Sequence, residues 1–331
     1  MRPAIKSGLL PVWRDRETLQ IGIDPRRAIA LSGMSKAAPL IRLLDGSRNR
    51  DQVIAAAAGS GIPAEATERV LTLLAAAGAL DDFPASTLRA LPAQLRSKLA
   101  PELATSSLAR RDGDGGARAL ARRRAAVILI EGDRRICRSV ARILSATGIG
   151  QVRLRVPAGD LVQRGSDADA PASGQHPRAR AKIEVRPDLV ILVGNRTADR
   201  AAELVRDRIA HLAVMAGEAI GMVGPLVVPG RTACLRCLDY TRAGNDPTWP
   251  LILAQIRRRR PEPAACDAVL TAAVAAQAAA QALTAIEAAP IASAAANGTL
   301  ELVLPDWRWR RRTWPMHPAC PCAIMRSDNR Q

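Results

Sequence analysis

Four of the six cysteines in this 331-residue chain come in two close pairs: "ACLRC" carries Cys234 and Cys237, and "MHPACPC" carries Cys320 and Cys322. Thiols so spaced can form a redox dithiol or donate two ligands each to a metal. The amino terminus, "MRPAIKSGLLPVWRDR", lacks the apolar run and small-residue cleavage site of a secretory signal. A cytoplasmic location is therefore expected, and in that reducing compartment clustered thiols hold a metal more readily than they form disulfides. If the two pairs converge they make a tetrahedral thiolate site, for which zinc is the usual occupant. With no carboxylate nearby, no position stays open for water, so the role would be structural. The second pair is Cys-x-Cys, tighter than in a generic zinc ribbon, and His317 is an alternative ligand or a support for the site. Cys137 and Cys266 read as small buried residues. His176 reads as solvated and His211 as structural, so no nucleophilic triad can be assembled and no catalytic residue is assigned.

The elements that must position these thiols can be read from periodicity. "AAVILI" (125–130) suits a buried parallel strand, followed by the helix "RSVARILSA" and the strands "QVRLRV" and "DLVILV". Strands alternating with helices predict an open α/β sheet of nucleotide-binding type over 123–331. An exposed insertion is expected after Val156. The segment 268–286 is long and apolar but Ala-rich and interrupted by Gln277 and Gln281, which predicts a buried helix and no membrane span. Upstream, residues 1–83 alternate as strands in "TLQIGI" and "RRAIAL". Three helical patterns follow, closed near Gly46, Gly59 and Gly78, which is the order of a winged helix-turn-helix. Residues 84–122 mix Gly, Ser, Asp and Arg without an apolar period and are expected to be a linker.

A formal charge of +17 attracts anionic partners. A winged helix on such a chain raises a nucleic-acid reading, to which "DWRWRRRTW" would contribute stacking tryptophans and phosphate-binding arginines. The third helix offers few basic or amide side chains for base edges, and the Trp/Arg alternation equally describes a half-buried strand with Trp inward. Nucleic acid is therefore not the expected partner.

The run "GPLVVPGRTACLRCLD" with the closing "HPACPC" resembles the ThiF-like proteins, relatives of the ubiquitin-activating (E1-like) enzymes, that serve thiazole/oxazole-modified peptide (TOMM) pathways. Residues 1–83 resemble the small PqqD-like peptide-recognition domain that precedes the ThiF-like part in that family. The resemblance implies one zinc held by Cys234, Cys237, Cys320 and Cys322. It also implies capture of the leader region of a ribosomally made precursor peptide (RiPP) and its presentation to a partner YcaO-type cyclodehydratase, as in bacteriocin biosynthesis. Homodimerisation is possible by the same likeness. The leader would add as a strand to the edge "RRAIAL", that is Arg26, Arg27, Ala28, Ile29, Ala30 and Leu31. Arg69 and Leu73 of the third helix would face it.

Adenylating relatives carry Gly-x-Gly-x-x-Gly at the first strand-to-helix turn, where phosphates approach backbone N–H groups. Here the turn reads "EGDRRICRS": Gly132 stands first, and Arg134 and Cys137 take the other glycine positions. Val156 and Pro157 replace the ribose-binding acid, and Gly194 and Asn195 stand where an Asp is expected near the metal. The expectation is a non-catalytic subunit with a degenerate nucleotide loop and no ATP. The alternative is an active adenylating enzyme in which Arg134 and Arg135 grip phosphates by charge.

Overall fold

The computed structural model describes residues 1–82, 91–156, 186–195, 197–258 and 265–322. The insertion expected after Val156 lies almost wholly outside these, as does His176. Two compact units divide the chain, Met1–Ala121 and Arg122–Gln331.

In the first unit β2 (Pro11–Trp13), β3 (Leu19–Ile21) and β4 (Ile29–Leu31) form an antiparallel sheet in the order β2-β3-β4, with Leu19 opposite Leu31 and Ile21 opposite Ile29. A second antiparallel pair joins β1 (Pro3–Ile5) to β5 (Leu80–Asp82), tying the start of the unit to the chain beyond its helices. The helices are α1 (Ala38–Leu43), α2 (Arg50–Gly59) and α3 (Ala64–Ala76). Helix α2 opens with a reciprocal capping box: Asn49 accepts from the Gln52 amide and Gln52 accepts from the Asn49 amide. Helix α3 starts after Pro63 and stops before Gly78, whose φ of +68° suits glycine. Leu19, Ile21, Leu31, Leu40, Val53, Leu71 and Leu74 share one core.

The stretch expected to be a linker instead carries three helices: α4 (Ala93–Lys98), α5 (Ala100–Arg110) and α6 (Ala117–Ala125). Leu99, Leu103, Ala117 and Leu120 bury a small core of their own. Helix α5 is also fastened by a buried polar cluster. Lys6, 1% exposed, donates from Nζ to Asp81 Oδ1 at 2.6 Å and to Ser107 Oγ at 2.6 Å, and the Ser107 hydroxyl bonds the same carboxylate. Such tertiary anchoring overrides a local composition that reads as unstructured.

The second unit is a seven-stranded sheet in the order β12-β11-β10-β9-β8-β6-β7. Its members are β6 (Val127–Gly132), β7 (Gln151–Arg155), β8 (Leu189–Val193), β9 (His211–Gly217), β10 (Ile220–Val227), β11 (Gly298–Val303) and β12 (Arg308–Thr313). Strands β7, β6, β8 and β9 run parallel, and β9 through β12 antiparallel. All five residues of β8 are buried, the signature of a strand covered on both faces. Helix α7 (Arg134–Ala146) packs Ile136, Val140 and Leu144 onto one face, and α8 (Ala198–Arg206) covers the other with Ala201 and Leu204. Helix α11 (Ala268–Glu287) has the length and apolarity of a membrane span, but its small side chains are spent on α7, β9 and β10. Helices α9 (Leu235–Asn245) and α10 (Trp249–Arg258) lie in the chain between β10 and α11.

Strand β12 departs from the half-buried expectation. All six of its residues are exposed. It is the outermost strand and α11 packs on β9 and β10, so among the described residues no helix layer covers it. The buried tryptophan is Trp314, one residue past the strand, at 2% exposure.

Candidate metal centre

The two cysteine pairs meet. Cys234 is the N-cap of α9 and Cys237 lies in its first turn, while Cys320 and Cys322 follow β12 at the end of the described chain. The loop ahead of α9 is fixed by side chains. The Thr232 hydroxyl accepts from Val228 N at 2.7 Å and donates to Leu226 O at 3.0 Å, and Asn297 Oδ1 accepts from Ala233 N at 2.8 Å. On the other side, Trp314 N donates to Asn297 O, and the Trp314 indole N–H donates to Thr299 Oγ1 at 2.9 Å. Asn297 thus holds both approaches to the thiols.

Sulfur separations are 3.8 Å for Cys234 and Cys237, 3.6 Å for Cys234 and Cys320, and 3.3 Å for Cys237 and Cys322; all four sulfurs lie within 4.8 Å of one another. A tetrahedron of thiolates at ~2.3 Å from a central ion has edges of about 3.8 Å, so this spacing fits a metal such as zinc. All four cysteines are buried. Among themselves the thiols hold Cys237 well down, at about 2, by hydrogen bonds from Cys234 and Cys322. The Cys234 thiol, which donates to Cys237, is pushed up to about 12, and Cys322 is raised by the same sharing. The amino-terminal end of α9 adds its own preference for negative charge.

His317 is not needed to complete the set. Its ring stacks on Tyr240 at 5.1 Å, its Nδ1 accepts from Ala319 N and its carbonyl accepts from Cys320 N at 3.0 Å, so it shapes the turn carrying the second pair. Cys137 is buried inside α7, its thiol pushed up to about 12 by burial. Cys266, partly buried, hydrogen-bonds Thr271. His211 lies on β9 with burial holding it down at about 4; Nδ1 sits 3.1 Å from Ile209 O and Nε2 has no hydrogen-bond partner among the described residues.

At the other candidate site, Gly132 ends β6 with φ +123°, and a Cβ there would lie 1.8 Å from Val193 O. Close packing of β6 on β8 alone demands this glycine. The next residue, Asp133, caps α7 by accepting from Ile136 N at 3.1 Å. A carboxylate thus takes the amide and the helix end that a phosphate would use. Behind it Glu131 is held by Arg155 at 2.6 Å and Arg200 at 2.9 Å.

The residues expected to receive a peptide are spread over two local structures. Ile29, Ala30 and Leu31 form β4, a free edge of its sheet among the described residues, with Leu31 buried and Ala30 exposed. Arg26, Arg27 and Ala28 precede it in a turn. Arg26 pairs with Asp24 at 2.7 Å, and Arg27 donates to Leu108 O. Both contacts lie at the surface, where the Arg26 side chain is 88% exposed. Arg69 and Leu73 are exposed on one face of α3 at helical spacing. No local pattern marks Lys6, Asp81 and Ser107 as partners, because they lie far apart along the chain.

No family model and no curated protein matches the sequence. Solved structures do. The chain is similar to a heterocyclase in complex with substrate and cofactor (TM-score 0.64, 16% identity, 97% of this chain and 39% of that one). It is similar to the heterocyclase TruD (TM-score 0.65, 17% identity, 97% and 42%). It is also similar to E. coli MccB solved with AMPCPP and selenomethionine MccA (TM-score 0.65, 14% identity, 98% and 99%). The chain spans about two fifths of the length of the two heterocyclases and nearly all of MccB. At such identity what is shared is the fold, and it runs through both units.

Proposed function

We propose that this protein binds the leader region of a ribosomally made precursor peptide and presents it to a partner YcaO-type cyclodehydratase, which forms azolines in the peptide core. The observation that carries this reading is the free edge of β4, whose core-facing Leu31 shares a cluster with Leu71 and Leu74 of α3, while Arg69 and Leu73 stand exposed on that helix. An extended peptide can pair with such an edge and seat apolar side chains beside the helix. The fold likeness to heterocyclases and to MccB, the latter solved with MccA, supports a role in peptide modification. Zinc is the proposed occupant of the four-cysteine centre, where it staples the chain's end to α9 and takes no part in chemistry. Adenylation is proposed to be lost, because Asp133 occupies the helix end and repels phosphate while Gly132 has a packing reason to exist.

The test is binding of a fluorescent leader peptide, taken from a short reading frame beside the gene, to the full chain. Affinity should survive chelation of the metal and fall at least about tenfold in Leu73→Asp, which removes an apolar contact and inserts a charge. Absence of binding, or an unchanged affinity in Leu73→Asp, would overturn the reading. ATP–pyrophosphate exchange by the protein alone would overturn the loss of adenylation.

A further inference from the structure

We infer that the outer edge of β12 is a docking strand for an extended acidic segment of a second protein, separate from the β4 edge. Strand β12 pairs with β11 along Arg308–Thr313 and has no strand beyond it among the described residues, so its outward backbone N–H and C=O groups are unpaired. Residues directly opposite across the pair share a face. Arg308, Arg310 and Arg312 therefore stand together opposite Val303, Glu301 and Thr299. Arg310 is answered by Asp306. Arg308 and Arg312 meet no carboxylate among the described residues, and Arg312 is held over the Trp314 ring at 4.5 Å from its centroid. Trp314 is also flanked by Arg242 at 5.3 Å, whose other neighbour is the Trp249 ring at 4.9 Å. This stacking fixes Arg312 without neutralising it.

Charges on an edge strand can serve only to block unwanted pairing. Trp307 and Trp309, 42% and 36% exposed at the same edge, argue against pure protection, since exposed aromatics invite contact. The free backbone ladder decides the class of partner, because a polypeptide can pair with it and a nucleic acid cannot. Guanidinium groups recurring every second residue match acidic side chains at the same period on an added strand. A second copy of this chain is disfavoured by its own excess of positive charge.

The experiment uses the full-length metal-bound protein and a labelled peptide of alternating glutamate and valine, about eight residues long, a typical strand length. Three comparisons accompany it: the same peptide N-methylated at alternate residues, a single-stranded oligothymidylate, and the variant Arg308→Glu/Arg312→Glu. Both substituted residues are exposed, and retained metal content checks folding. The peptide should bind in a salt-sensitive manner, weaken at least about tenfold in the double variant, and weaken on N-methylation. Leader binding at Leu73 should not change in that variant, so the two readings fail separately. Unchanged peptide affinity in the double variant, equal binding of the N-methylated peptide, or tighter binding of the oligonucleotide lost in the same variant would each overturn the proposal, the last in favour of nucleic acid.

Discussion

Removing the proposed metal should release the last described turn, because the other contacts among the described residues there are few, chiefly the stacking of His317 on Tyr240. The segment Pro315–Cys322 contains no regular strand or α-helix, and its buried side chains are Cys320 and Cys322 with partly buried Met316 and His317. Ordering eight backbone residues costs about 8–16 kcal/mol at 1–2 kcal/mol each. Burying two cysteines and part of a methionine returns only about 3–4 kcal/mol. That leaves about 4–13 kcal/mol to be found, and a structural zinc, which contributes about 10–16 kcal/mol in small metal domains, is large enough to supply it. Chelation, or Cys237→Ser, is therefore expected to raise hydrogen–deuterium exchange across 315–322 and at the start of α9. The buried strands β6, β8 and β9 should stay protected by their own core. The purified protein should carry about one zinc per chain by elemental analysis. A metal-free preparation whose 315–322 amides are as protected as in the zinc-loaded protein would refute the reasoning, since burial alone would then suffice.

Lys6→Met should destabilise the first unit by about 3–5 kcal/mol, since it strands the Asp81 carboxylate in a buried site, and Lys6→Met/Asp81→Leu should recover much of that; hydrogen exchange of β1, β5 and α5 reads the difference. His211, held at about 4 against an ordinary 6.5, makes the unfolded chain the better proton binder in between. Stability of the second unit should therefore be full above pH 6.5 and decline by about 2 kcal/mol from pH 7 to 5, measured by urea unfolding. An equal decline in His211→Phe would assign it to other groups. Gly132→Ala should cost about 3 kcal/mol or more, because its Cβ meets a backbone oxygen and its φ is positive. A Gly132→Ala protein with unchanged melting temperature would mean that the glycine is kept for a ligand.

How much of this was legible in the sequence varies with the physics that fixes each part. "DLVILV" and "RSVARILSA" carry their environments in their own periods, and β8 and α7 lie where those periods place them. The cysteines were legible because loop placement and ligand spacing are short-range facts, and their convergence at 4.8 Å or less follows from β10 and β12 belonging to one sheet. The helices within 84–122 were not, because Lys6, Asp81 and Ser107 stabilise one another across a separation in sequence that no local pattern records. Alternation in "RWRRRT" identified a strand but not its neighbours. The same period describes a half-covered strand and a bare edge, and only the strand order distinguishes them. The local contacts of Arg26 with Asp24 and of Arg27 with the Leu108 carbonyl were not legible either, the second because it joins residues 81 positions apart.

The placement of the metal centre follows from how this core is built. Only 2% of residues are aromatic, and the central helix α11 fills its place against the sheet largely with alanine. Alanine lets α11 approach β9 and β10 closely, but each one buries little apolar area. That suffices at the middle of the sheet, where Ile, Val and Leu line both faces of β6 and β8. Beside the thiols the buried cluster is small: Val227, Ala233, Leu238 and Trp314 with the four cysteines. The proposed metal on the four cysteines would cross-link this margin from two loops already aligned by Asn297. The margin so fixed includes Trp314, on which Arg312 rests. If the proposed metal holds this margin, a metal-depleted chain should lose the acidic-peptide affinity of the β12 edge while keeping the leader affinity of the first unit.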